Sequence, residues 1–584
     1  MGSVTRCIRA VVPAAALLMG GVISLAAISG GNVFAEAKAA DVPAAAPEAR
    51  DTCAKLADLK LSGIKIVGAG TQIADAPVAG TRLDWPPGPA VGEPLAGLPA
   101  FCRVVGRISP ERGSKIGFEV WMPSADWDGR LNGVGIGGFA GYIDWLSLSL
   151  ALKAGQASVA TNTGHDTSAD AMNAGTNSAW AKGHPERVRD YGWRAIHLSA
   201  VAAKQLVGAF YGREPDHSYF VGCSGGGRQG LIEASRFPED YDGIVSGAPA
   251  ANFTDLTMAM ISHIQAQQAP GAPIRPEQMQ LVQSQVLRQC DARDGQADGL
   301  VADPRQCKFD VSKLACGTSE SAQCFTPPQI AALEKIYAGP RDSSGRQLTA
   351  TYLPSGSEFS TPFPGLGWDS YIAEGSKERS GAVPLAGGLL QDFVQRPFAT
   401  SLTFNFDSDP AKLKSALADD LDASPDLKHF FERGGKLILW HGWADAAIPP
   451  EATIRYYDAM MHQSGPKASG SSELFMVPGV QHCMGGNGPW GFGQNNAPQS
   501  GDTSENSMVA ALQAWVEQGT RPMALVGRFG SGGGFGIPPD KPERQRLLCA
   551  WPAKAVLRPG GDPDKAQSYS CTGRMASSGS ASRD

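Results

Sequence analysis

The chain has 584 residues, 42% of them hydrophobic, and 12 tryptophans. That is enough apolar surface for a sizeable core and too much chain for one small domain, so one large catalytic domain with a substantial insertion is expected. The formal net charge of -6, with acids and bases interspersed and no basic stripe, excludes nucleic acid as an expected partner.

At the N-terminus Arg6 and Arg9 precede an apolar run over 11–28 and then Asn32-Val33-Phe34-Ala35, with small residues where a signal peptidase reads. This predicts a signal peptide over 1–35, cleaved near Ala35, and a secreted or periplasmic protein. An uncleaved anchor is the competing reading, since the run is nearly long enough to span a bilayer. No second run of that length follows, so no stable membrane association is expected after cleavage. Residues 36–51 are Ala- and Pro-rich and read as a disordered leader. Cys7 lies ahead of the apolar run; the ten cysteines beyond it, an even set behind an export signal, argue for disulfides.

Residues 52–249 read as the first part of a catalytic domain. Strands are predicted over 115–121 and 130–136, joined by a turn at Trp127-Asp128-Gly129. The second runs into Gly137-Gly138-Phe139-Ala140-Gly141. A strand over 157–161 and a long helix within 185–211 follow, the helix showing apolar residues at helical spacing. His197 on it reads as a packed or surface histidine.

The next stretch is Gly222-Cys223-Ser224-Gly225-Gly226, a G-x-S-x-G motif between a strand-like 217–221 and a helix-like 227–236. This setting predicts the nucleophile elbow of an α/β-hydrolase, in which small residues let a sharp turn hold Ser224 in a strained conformation with its hydroxyl exposed. A glycine-rich turn is the plain alternative. In such folds one oxyanion N–H comes from the residue after the nucleophile, here Gly225, and the other from an early Gly-rich loop, here Gly137 or Gly138; Gly138 is taken as the expected donor.

After a strand over 244–248 the pattern changes. Residues 250–424 hold short helices, Pro and Gly punctuation and four cysteines, as expected of a lid domain inserted over the site. Within it Asp291, Asp294 and Asp298 fall at intervals of three and four among glycines, which suits a hard oxygen-loving cation, most simply Ca²⁺. The spacing is not that of an EF-hand, and a solvated acidic turn is the alternative. Cys290 with Cys307, and Cys316 with Cys324, are close enough in sequence to pair.

The hydrolase rhythm returns over 425–584. A strand over 436–440 ends in His441-Gly442-Trp443-Ala444-Asp445, and one over 473–477 leads to Gln481-His482-Cys483. The order Ser224, Asp445, His482 is that of an α/β-hydrolase triad. His441 and His462 compete for the role of base; His441 ends a strand ahead of Asp445 and reads as structural or as a wall of the pocket. A final amphipathic helix over 502–517 is expected to be capped by Asp502 or Thr503. Cys223 and Cys483 flank the serine and the histidine, so a bridge between them is expected, with pairing elsewhere as the alternative.

The run 222–230, Asp445, Gln481-His482-Cys483 and the Asp-rich loop together resemble the tannase and feruloyl esterase family. The resemblance covers nearly the whole mature chain. It implies an α/β-hydrolase fold with a large inserted lid domain, a triad of Ser224, Asp445 and His482, and a structural lid Ca²⁺ on the side chains of Asp291, Asp294 and Asp298 and the carbonyls of Gln296 and Leu300. It also implies the bridges Cys223–Cys483, Cys290–Cys307, Cys316–Cys324, Cys53–Cys102 and Cys549–Cys571. The implied substrates are small esters of aromatic acids, feruloyl or galloyl, with terephthalate monoesters in a specialised branch. Position 225 departs from other members, which carry Thr or Glu there. Arg396 and the aromatics Phe393, Phe398, Phe404 and Phe406 lie where an acyl ring would be gripped, but read more simply as an exposed Arg among core phenylalanines. From another class, a catalytically inactive α/β-hydrolase-like binding protein is the alternative, which labelling of Ser224 would exclude.

Overall fold

The computed structural model describes residues 52–78, 95, 97–167, 175–317, 323–374, 380–530 and 544–573. The expected signal peptide and leader lie outside these residues.

A nine-stranded sheet organises the fold, in the order β1-β2-β3-β5-β4-β6-β7-β8-β9. Its strands are β1 (Ile64–Gln72), β2 (Phe101–Ile108), β3 (Ile116–Pro123), β4 (Arg130–Val134), β5 (Ala157–Thr161), β6 (His217–Cys223), β7 (Gly243–Gly247), β8 (Lys436–Gly442) and β9 (Ser472–Val477). The first three and the β3–β5 pair are antiparallel, and from β5 through β9 every neighbour is parallel. Parallel strands buried on both faces need apolar residues on both faces, and these have them. Phe220, Leu437 and Leu439 pack to one side with Ile196 and Leu231, while Tyr219, Val221, Ile438 and Trp440 pack to the other with Leu512 and Trp515. Alternate residues of one strand thus feed two separate cores.

Helices α1 (Trp145–Lys153), α2 (Ala195–Tyr211), α3 (Gly225–Arg236), α5 (Pro450–Gln463) and α6 (Met508–Gln518) cover the sheet, while α4 (Phe253–Ala266) packs among helices of the chain after β7. The helix expected over 185–211 is interrupted: Pro185–Arg189 passes through a single wide turn, Asp190–Arg194, before α2 begins. Asp190 is fully buried at that turn and accepts from Arg194 Nε at 2.7 Å. The last helix starts later than expected. Ser507 caps α6, its side chain accepting the Ala510 N–H, whereas Thr503 belongs to the preceding turn, its carbonyl accepting the Ser507 N–H.

β1 and β2 were not anticipated, nor were two hairpins near the C-terminus, β10 (Ala524–Arg528) with β11 (Gln545–Cys549) and β12 (Lys554–Leu557) with β13 (Tyr569–Thr572). β1 is an edge strand with a bulge at Ile66/Gly68 and exposed Val67, so it lacks the apolar alternation of a half-buried strand. No helix among the described residues is long and apolar enough to cross a membrane.

Between β7 and β8 the described residues add no strand to the large sheet. This inserted segment is stitched to the loop after β9 by Gln481, whose Nε2 donates to the carbonyls of Ser357 and Phe359, both at 2.8 Å. Glu358 lies between those two carbonyls in the chain and is fully buried. Its Oε1 accepts the N–H groups of Ser355 (2.7 Å) and Gly356 (3.1 Å). Burial outweighs these bonds and pushes the carboxyl up to about 7.

A carboxyl raised in the folded state keeps its proton while the unfolded chain has lost it. Its contribution to stability is therefore full below about pH 4.5 and is lost as pH rises towards 7. Over that window the cost is about 3 kcal/mol. Glu358→Gln is expected to flatten the fall in stability between these limits relative to wild type, as measured by urea unfolding at several pH values.

Candidate active site

Ser224 sits between β6 and α3 with φ 63 and ψ -123, a conformation that L residues other than glycine rarely adopt. The turn is possible because its neighbours lack side chains. A Cβ on Gly222 would lie 2.6 Å from Gly226 backbone, and one on Gly226 would lie 2.8 Å from Gly135. The Ser224 N–H donates to the Gly247 carbonyl at the end of β7 (2.9 Å), which anchors the turn to the neighbouring strand.

The structure brings all three expected triad residues together. His482 Nε2 lies 2.9 Å from Ser224 Oγ, and its Nδ1 lies 2.8 Å from Asp445 Oδ2. Asp445 is buried, and its Oδ1 accepts the N–H groups of Ala447 and Ile448, both at 2.8 Å. Burial alone would raise this carboxyl, but the charge of His482 and hydrogen bonds from His441 and His482 outweigh it and hold it below the usual carboxylate range. Such a set can pass a proton from serine to imidazole while the carboxylate steadies the ring. His462, the other competitor, lies at the end of α5 and has no part in this chain of bonds.

Gly225 opens α3, and a Cβ on Gly137 would lie 3.8 Å from Ser224 Cβ, so the Gly-rich loop borders the serine. The backbone N–H groups of Gly137, Gly138 and Gly225 donate to no partner among the described residues. Residues that sequence reasoning missed hold this loop in place. Gln229 Oε1 accepts the Ile136 N–H (3.0 Å), Tyr191 donates its hydroxyl to the Gly138 carbonyl (2.8 Å), and His165 Nε2 contacts the Phe139 carbonyl (2.8 Å). His165 also stacks on Trp180 at 3.7 Å, and burial pushes it down to about 3, so it is a neutral donor. The only available signal for Gln229 was its place in the run after the serine. Tyr371, from the inserted segment, sets its ring edge-on to His482 at 5.7 Å.

Cys223 and Cys483 form a disulfide, as do Cys53 with Cys102, Cys290 with Cys307, Cys316 with Cys324 and Cys549 with Cys571. The bridge next to Ser224 therefore ties the elbow to the histidine loop.

In the Asp-rich loop, Asp291 accepts the N–H groups of Asp298 and Gly299, and Asp294 accepts that of Gln296. Asp298 pairs with Arg546 and Gln296 Oε1 accepts from the Tyr569 hydroxyl (2.8 Å), which joins the loop to the C-terminal hairpins. Burial first, and then the charges of Asp298 and Asp291, raise the Asp294 carboxyl. Among the described residues, the carbonyls of Gln296 and Leu300 accept no backbone hydrogen bond. The structure does not gather Asp291, Asp294 and Asp298 with ligand oxygens all within 4.8 Å of one another; Asp291 is taken up by backbone N–H groups and Asp298 by Arg546.

Among the described residues, the one group of three or more His, Cys, Asp or Glu with all ligand atoms within 4.8 Å of one another is His197, Glu233 and Asp240. There His197 Nδ1 already bonds to Asp240 Oδ2 at 2.6 Å and stacks on Phe237, which makes it the packed histidine expected. Arg396 is exposed and lines a cavity of about 300 Å³ with Lys182 and Phe398, apart from the triad; Phe393 and Phe404 are buried.

Breaking the Cys223–Cys483 bridge would free a loop of 260 residues, worth about 5 kcal/mol at most by loop entropy. The double variant Cys223→Ser, Cys483→Ser is expected to lose up to that amount of unfolding free energy, read as a lower midpoint in urea than wild type, with the Ser224–His482 contact loosened.

A family model described as tannase and feruloyl esterase matches residues 102–572. An uncharacterized esterase of Xanthomonas campestris pv. campestris is 36% identical over 512 residues, covering 82% of this chain and 86% of the relative. The mono(2-hydroxyethyl) terephthalate hydrolase of Piscinibacter sakaiensis is 31% identical over 534 residues, covering 82% and 85%. Among solved structures, feruloyl esterase B from Aspergillus oryzae superposes with a TM-score of 0.77 at 25% identity, covering 90% of this chain and all of the other. An α/β-hydrolase by fold and a carboxylic ester hydrolase by kinship, this chain belongs to the tannase and feruloyl esterase family.

Proposed function

We propose that the protein is a secreted or periplasmic serine esterase that hydrolyses esters of aromatic acids, of the feruloyl or galloyl type, through an acyl-enzyme. The observation that carries this reading is the unbroken Ser224–His482–Asp445 chain at hydrogen-bonding distances. His482 Nε2 takes the serine proton as Oγ attacks the ester carbonyl, and Asp445 fixes the tautomer that leaves Nε2 free. The N–H groups of Gly225 and of Gly138, or its neighbour Gly137, would hold the tetrahedral oxyanion. The protonated His482 then gives its proton to the departing alcohol, and water attacks the acyl-enzyme with the same residue as base.

The inserted segment supports the reading of 250–424 as a lid, since it sets Tyr371 against His482. Asp291, Asp294 and Asp298, with the carbonyls of Gln296 and Leu300, would hold a structural Ca²⁺ that stiffens this lid and supplies no chemistry to the reaction. Five disulfides support an oxidising compartment. Kinship with a terephthalate-monoester hydrolase favours that ester as the second substrate reading.

Hydrolysis of methyl ferulate, methyl gallate, the terephthalate monoester and a plain aliphatic ester by the mature protein tests the proposal. Aromatic esters are expected to be cleaved, Ser224→Ala to be dead, and Asp445→Asn to lose about 10⁴-fold in kcat. Turnover of the aliphatic ester alone would overturn the substrate class. No turnover in wild type, with no fluorophosphonate label on Ser224, would restore the inactive binding protein. Stripping with EGTA is expected to lower Tm and Ca²⁺ to restore it; a Tm indifferent to both would refute the calcium reading.

A further inference from the structure

Asp445 receives two imidazoles on one oxygen. Oδ2 accepts from His482 Nδ1 at 2.8 Å and faces His441 Nε2 at 3.1 Å, while Oδ1 takes the two backbone N–H groups of Ala447 and Ile448. His441 lies near the end of β8 and is fully buried, and its Nδ1 lies 2.7 Å from Thr453 Oγ1 on α5, also fully buried. An ionised carboxylate only accepts, so His441 Nε2 carries a hydrogen, and Nδ1 shares a second bond with the Thr453 hydroxyl, which holds the ring in place. Thr453, His441, Asp445, His482 and Ser224 thus form one continuous line of hydrogen bonds.

We propose that His441 is a positioning residue of the reaction: as a second donor to Asp445 Oδ2 it fixes the carboxylate's orientation and sets the pH range over which His482 is free to accept the serine proton. This rests on the triad reading above. Two donors on one oxygen divide its charge between them. Without the His441 donor, Oδ2 would hold the His482 imidazolium more tightly, so that His482 would stay protonated to higher pH. The carboxylate would also lose one of the bonds that stop it rotating, and the ring that reads its position would reach the serine less often.

Other titratable groups pack against this point. Tyr371 from the inserted segment and Tyr352, whose hydroxyl bonds to the Ala447 carbonyl, face Asp445, and burial pushes both phenols far up, so both are neutral. His263 on α4 sits 5.7 Å from the Tyr352 ring, and burial pushes it down to about 3. Glu358, behind the histidine loop, is pushed up to about 7 by burial and so titrates in the working range. A Glu358→Gln background separates its effect from that of His441.

The experiment is the rate of Ser224 labelling by a fluorophosphonate between pH 4.5 and 9, for wild type, His441→Phe and His441→Gln, with and without Glu358→Gln. Labelling needs the triad but not the right ester, so wild type that takes no label refutes the serine reading, and only labelled wild type tests this one. His441→Phe is expected to slow the plateau rate by about tenfold to a hundredfold and to move the acidic limb to higher pH by about half to one unit. Glutamine can place an N–H near the lost Nε2–H, so His441→Gln is expected to restore most of both. An unmoved limb in His441→Phe, or a glutamine variant no better than phenylalanine, overturns the proposal. Should His441→Phe not fold, Thr453→Val removes the second bond that holds the His441 ring and is expected to move the limb the same way by a smaller amount; an unmoved limb there overturns it equally.

Discussion

The left-handed turn at Ser224 is the constraint on which the rest of the site depends. A residue with a side chain held at φ 63 persists only where its surroundings allow no alternative. Here the glycines at 222 and 226 bring β6, α3 and the end of β4 closer than any Cβ would permit. The turn is also bonded to β7 through the Ser224 N–H. The strain is thus borne by a two-sided apolar sheet, and the serine emerges at the carboxyl ends of parallel strands, where α/β sheets place their sites.

Asp445 and His482 reach the same end of the sheet by the same geometry. Asp445 follows β8 and His482 follows β9, next to each other in the sheet, so side chains far apart in sequence meet across one strand spacing. Backbone N–H groups hold one oxygen of the acid and imidazoles hold the other. A disulfide beside serine and histidine, and Gln481 reaching into the inserted segment, keep the histidine loop from drifting.

Much of this was legible because parallel strands buried on both faces are short apolar runs, and because the serine, the acid and the histidine each follow such a run. The edge strands were not, since β1 alternates half-exposed residues around glycines at 68 and 70, and the C-terminal hairpins are four- and five-residue strands, too short to show a period. Asp502 and Thr503 have the chemistry of a helix cap and missed by a turn, because Ser507 has it too and sits where the helix packs. His441 read as structural from its place at a strand end; that it touches the acid is a fact of three dimensions that spacing does not carry. The supports of the Gly-rich loop, Gln229, Tyr191 and His165, come from three separate elements and share no motif.

The pattern of disulfides bears on how the chain matures. Four bridges join cysteines that are consecutive in sequence, 53 with 102, 290 with 307, 316 with 324 and 549 with 571. The fifth, Cys223 with Cys483, spans 260 positions and encloses two of the others. A chain oxidised from its N-terminus onward would meet four other cysteines after Cys223 before Cys483. The bond beside Ser224 and His482 is therefore the one of the five whose pairing thiol–disulfide exchange has to edit.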